Sequence, residues 1–172
     1  MKTFWSYIPI LFLIFLPLSI KAQTIDIQID VNPEVDTRVI QPLDFGQLMA
    51  GTGVHQIQLG SPDMGIFHVR ALRTQRFFLN LTADEALVHQ NPEVEDSIPI
   101  ELFASYTNFG IDDYRQSIPM GSLFEEVVVE ETPGNPESAW SGLYIYIYGN
   151  IELGNVQPGL YTGEIVLTVI YE

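Results

Sequence analysis

The chain has 172 residues, 47% of them apolar, with 7 basic against 22 acidic side chains and no cysteine. A formal net charge of −15 repels phosphate backbones and anionic bilayers, which argues against nucleic acid as a partner. Without cysteine there is no disulfide framework, thiolate metal site or cysteine nucleophile, so an apolar core and strand pairing must hold the fold.

The opening "MKTFWSYIPILFLIFLPLSIKAQ" combines Lys2, an apolar stretch from Ile8 to Ile20, and Ala22 just before Gln23. This is the layout of a secretory signal peptide over residues 1–22. The 17 residues from Phe4 to Ile20 are at the lower edge of a membrane span and are interrupted by Pro9 and Pro17. Cleavage is therefore expected over anchoring, with no span left afterwards and residues 23–172 forming one domain. Losing Lys2 and Lys21 leaves five basic residues, all Arg, against 22 acidic ones, a balance of −17.

Beyond that point the apolar pattern has period two almost everywhere. "TIDIQIDVN" sets Ile25, Ile27, Ile29 and Val31 against Asp26, Gln28 and Asp30, a strand with one wet face. "TRVIQPLDFG" gives a short run ended by Pro42 and Gly46. "VHQIQLG" and "IFHVRAL" follow, separated by the turn formers Ser61 to Gly65. "RFFLNLTAD" returns after Arg73-Thr74-Gln75 and reads, with "IFHVRAL", as a β-hairpin. After the acidic loop "NPEVEDS", "IPIELFASY" alternates Ile98, Ile100, Leu102 and Ala104. Residues 107–121 are irregular; "LFEEVVVEE", "LYIYIYG" and the closing "LYTGEIVLTVIYE" are further strands. Eight or nine strands with no long helical period predict an antiparallel β-sandwich or barrel.

Chemistry-bearing groups form no recognised constellation. His55, His68 and His89 lack close ligand spacing, and no cysteine assists them. Carboxylates are so many that a glycosidase-like pair is expected by chance. Asp112 and Asp113 are the weak candidates for calcium, although the EF-hand spacing is absent. No nucleophile elbow, P-loop or dinucleotide fingerprint appears, so no catalytic residue, cofactor or enzyme activity is expected. Tyr144, Tyr146 and Tyr148 line one face of a strand. Exposed, they would be a platform for sugar or protein; covered, they would be the second layer of a central strand. Arg70, Arg73 and Arg76 could hold an anion or simply decorate a hairpin end.

The order of segments resembles a bacterial exported family, domain of unknown function 4402. The carrying residues are "PLDFGQLMAGTGVHQIQLG", matching L-x-F-G-x-[IL]-x-x-G-T-G, then "GIFHVRALRTQRFFLNL" and "LYIYIYGNIELGNVQPGLYTGEIVLTVIY". The ending is also similar to the last strand of spore coat protein U and of archaic chaperone–usher pilins. The likeness runs from about Ile40 to Tyr171. It implies an immunoglobulin-like, pilin-like sandwich, export to the periplasm, cell surface or medium, and a place in a surface fibre or envelope layer. It further implies strand addition between subunits, with Ile25, Ile27, Ile29 and Val31 as the donor and Glu164 to Tyr171 as a groove wall. Many coat protein U-type domains carry a disulfide, and this chain carries none. The alternative is a secreted monomer in which residues 23–32 close their own sandwich, serving as a carbohydrate- or protein-binding module, calcium-dependent or not.

Overall fold

The computed structural model of the chain describes residues 35–171. The expected signal peptide and the Ile25–Val31 strand lie outside these residues. Among them no helix is long and apolar enough to cross a membrane.

The described chain is an all-β, antiparallel sandwich. Its strands are β1 (Asp36–Gln41), β2 (Gly53–Ile57), β3 (Gly65–Leu72), β4 (Arg76–Ala83), β5 (Ala86–His89), β6 (Ser97–Thr107), β7 (Ile118–Pro119), β8 (Phe124–Val128), β9 (Trp140–Leu153), β10 (Tyr161–Thr162) and β11 (Ile165–Tyr171). The large sheet runs β1-β3-β9-β6-β5-β10, with β2 beside β9 and β7 beside β6; the small sheet is β11-β4-β8. The 14-residue β9 organises the large sheet. One of its edges is shared by β3, along Trp140 to Ile147, and then β2, along Gly149 to Leu153. The other edge pairs with β6 from Tyr144 to Ile151.

Period-two patterning sends alternate residues of β3, β6 and β9 inward. Val69, Ala71, Ala104, Tyr106, Leu143, Ile145 and Ile147 meet Phe77, Leu79, Leu81 and Val127 from the small sheet, and all are buried. Each large apolar side chain so buried contributes about 1.5–3 kcal/mol of transfer free energy. The buried polar side chains at the end of β6 are paired. Thr107 Oγ1 donates to the Ile111 carbonyl at 2.9 Å, and Ser117 Oγ donates to Ser105 Oγ at 3.1 Å. Asn108 Nδ2 donates to the Val128 carbonyl at 2.8 Å, and its own carbonyl accepts from Glu130 N at 2.7 Å. Those two bonds stitch the end of β6 to the end of β8, one sheet to the other.

The expected hairpin between "IFHVRAL" and "RFFLNLTAD" does not form. β3 pairs with β1 and β9, whereas β4 pairs with β8 and β11, so Arg73 to Gln75 is a crossover between sheets. Its backbone is satisfied from elsewhere: Arg73 N donates to the Ala139 carbonyl and Thr74 N to that of Val129, each at 2.9 Å. Thr74 takes a left-handed conformation, φ 63°, to make the corner. Two apolar strands joined by a short turn satisfy a hairpin and a sheet-to-sheet corner equally well in sequence. Here burying both apolar faces against each other decides the corner.

Candidate functional site

The tyrosine stripe comes from the side of β9 turned away from the main core. Tyr144 stands opposite His68 and Thr107, Tyr146 opposite Ile66 and Ser105, and Tyr148 opposite Phe103. Tyr146 is fully buried among Ile57, Met64 and Ile66, with Tyr144 and Tyr148 half-buried beside it. The Tyr146 hydroxyl donates to Asp112 Oδ1 at 2.9 Å. Burial first, and then the Asp112 carboxylate, push its pKa well above the ordinary tyrosine value. Asp112 is thus the acceptor for a buried phenol. Asp113 caps a single 3-10 turn, accepting from Arg115 N at 3.1 Å and Gln116 Nε2 at 2.8 Å. The Gln116 and Arg115 bonds hold the Asp113 carboxyl below its ordinary range.

Beside the tyrosines lies a charged and aromatic strip. The His68 ring packs on Tyr144 at 4.7 Å between centroids, and the Arg70 guanidinium sits 4.7 Å over the Trp140 ring. Arg38 pairs with Asp36 at 3.0 Å. His68 Nδ1 is buried with no hydrogen-bond partner among the described residues. Burial and the nearby Arg38 lower the His68 pKa below its ordinary 6.5. The other histidines are elsewhere: His55 Nε2 meets Thr52 Oγ1 at 2.6 Å, and His89 Nδ1 accepts from Asn91 N at 2.9 Å. Among the described residues no three of His, Cys, Asp and Glu cluster as metal ligands would. The arginines also diverge. Arg70 stacks on Trp140, Arg73 donates to the Pro136 carbonyl at 2.6 Å, and Arg76 pairs with Glu126 at 3.1 Å.

Two further features concern the sandwich itself. β8 is stitched to β6 through Asn108, whereas β11, at the opposite edge of the small sheet, pairs among the described residues with β4 alone. Ile165, Leu167 and Val169 point at the core yet are only half-buried, while Val166 and Ile170 are exposed on the other face. The edge strands β1 and β8 carry charges (Asp36 and Arg38; Glu125 and Glu126), but β11 has none. Among the described residues it is the longest edge strand, and it is uncharged.

At one end the two sheets part. The closing run is split: Tyr161-Thr162 stays with β5 in the large sheet, and after Gly163-Glu164 the chain crosses to the small sheet as β11. Among the described residues, the inner face of the large sheet beyond that point has no strand opposite it. The result is a cavity of about 690 Å3 floored by Ile98, Ile100, Ile151 and Leu153 and roofed in part by residues 43–50. Sequence reading missed this cavity and β5, because it is shaped by where the last strand changes sheets and no local motif marks it. Neither a scan of known family models nor a search of curated proteins returns a match to this chain.

Proposed function

We propose that this protein is a non-enzymatic, exported structural subunit of a cell surface or envelope layer, with an immunoglobulin-like, pilin-like sandwich assembled by strand addition. The observation that carries this reading is the state of β11, an uncharged seven-residue edge whose core-facing side chains are half-covered. An added strand would satisfy the backbone groups that no described residue pairs, and alternate side chains of that strand would cover Ile165, Leu167 and Val169. Ile25, Ile27, Ile29 and Val31 recur every second residue, about 6.8 Å apart when extended, and suit that task.

The test compares residues 23–172 with residues 33–172 by thermal unfolding and size exclusion, with the peptide TIDIQIDVN then added in trans. Multimers of the longer form, and a peptide that raises the melting temperature of the shorter one, are the expected outcome. A sharp-melting monomer whose truncated form cannot be rescued would overturn assembly between copies and assign the segment to its own sandwich. A second reading, a secreted monomeric module for carbohydrate or protein, draws on the strip of Arg70, Trp140, His68 and Tyr144. A glycan-dependent change in tryptophan fluorescence that Trp140→Ala abolishes would favour it. Silence across a broad glycan panel would count against it.

A further inference from the structure

The cavity at the parted end of the sandwich has a character of its own. Its volume, about 690 Å3, falls in the range of small-molecule sites. Ile98, Ile151 and Leu153 on its floor are buried, so the floor is well fixed. Around the mouth the apolar surface continues outward: Leu48 is 38%, Leu160 59% and Met49 77% exposed. Water-facing Leu and Met at the rim of an apolar hollow are costly to leave wet and suit contact with an apolar body.

The charge around it has one sign. Asp44, Asp84 and Glu164 line the cavity, and no Lys, Arg or His does. Asp44 Oδ1 accepts from Gly46 N and Asp84 Oδ2 from Glu164 N, both at 2.8 Å, which fixes those two carboxylates in place while leaving each a second oxygen. An anionic head would meet an acidic lining, with Asp84 and Glu164 side by side, in a chain already at −15. A cationic head would be attracted to the same place.

We propose that this cavity is a binding site for a single-chain amphiphile with a cationic head, its alkyl tail over the floor of Ile98, Ile100, Ile151 and Leu153 and its ammonium group beside the adjacent Asp84 and Glu164. The cavity meets the first residue of β11 at Ile165, but its head-binding carboxylates and its floor lie outside that strand, so amphiphile displacement and peptide rescue of the truncated chain are separate readouts.

The experiment loads the full chain with N-phenyl-1-naphthylamine, a neutral apolar fluorophore. It then displaces the fluorophore with dodecylamine and dodecanoate below their micellar concentrations and dodecanol below its solubility limit. Dodecylamine is expected to act at about tenfold lower concentration than dodecanoate, with dodecanol between them. Glu164→Gln should shrink the amine–carboxylate gap about threefold and leave dodecanol unchanged. Ile100→Trp, which fills the cavity from its half-buried floor, should weaken all three by about tenfold or more. If that variant does not fold, methyl shifts of Ile98 and Ile151 on adding dodecylamine to the unaltered chain report the same site. Absence of saturable fluorophore uptake would overturn the proposal. So would equal displacement by amine and carboxylate, or displacement by the peptide TIDIQIDVN, which would make the cavity a socket for a strand.

Discussion

His68 is held against Tyr144 on one side, and on another Gly142 leaves room that no side chain could take, since a Cβ there would stand 2.7 Å from Nε2. Burial and then Arg38 lower its pKa, Arg70 acts in the same direction, and Asp36 and Asp112 oppose them. The unfolded chain therefore takes up this proton more readily than the folded one. Its contribution to stability is complete above the unfolded value near 6.5 and is lost as pH falls through the lowered folded value. Urea midpoints measured from pH 8 down to 5 should fall below about 6.5, and His68→Gln should flatten that part of the profile. Tyr146 has the opposite sign. Its raised pKa leaves stability intact below the ordinary value of 10.0 and erodes it as pH climbs beyond. Tyr146→Phe should cost about 1 kcal/mol in denaturant unfolding at neutral pH, because it deletes one buried donor bonded to an exposed acceptor. It should also reduce the alkaline loss above pH 10, which is the part a merely smaller core would not change.

Strands were the legible part of this chain, and their partners were not. The alternation of Ile98, Ile100, Leu102 and Ala104 is what β6 uses, and "LYIYIYG" is the middle of β9. Period two reports which side chains share a face, but it does not report which strand lies alongside. That is why Arg73 to Gln75 could be read as a hairpin turn when it is a corner between sheets. The closing run failed for a related reason. Tyr161 and Ile165 both belong to a good strand pattern, yet Gly163 and Glu164 let the chain change layers between them. The short β5 was missed because four residues, Ala86 to His89, carry too little period to register. At Gly149 the demand is local and strict: a Cβ there would run into the carbonyl of Glu101 on the neighbouring β6. Gly149→Ala forces backbone to shift in the most central pairing of the sheet. It should destabilise the protein by at least ~2 kcal/mol, read as a lower denaturant midpoint with unchanged slope.

Over the whole molecule, the two long margins of the small sheet are unequal. β8 is joined to the large sheet through the Asn108 hydrogen bonds, whereas among the described residues β11 pairs with β4 alone and follows from the large sheet through Gly163-Glu164. The large sheet likewise ends on β1, whose residues Asp36 to Ile40 are all exposed, and on the two-residue β10. Between these margins stands β9, whose residues 144–147 and 149–151 have a strand on either side. Opening any of those amides to solvent means parting ladders on two edges at once. In deuterium exchange they should be the slowest amides of the chain and report the global unfolding free energy, while β1 and β11 exchange through local fraying. If β11 proves as slow as β9, its edge is already occupied in solution. Exchange in D2O therefore dates the molecule from its middle strand outward, and the hour at which β11 gives up its protons tells whether a partner is holding it.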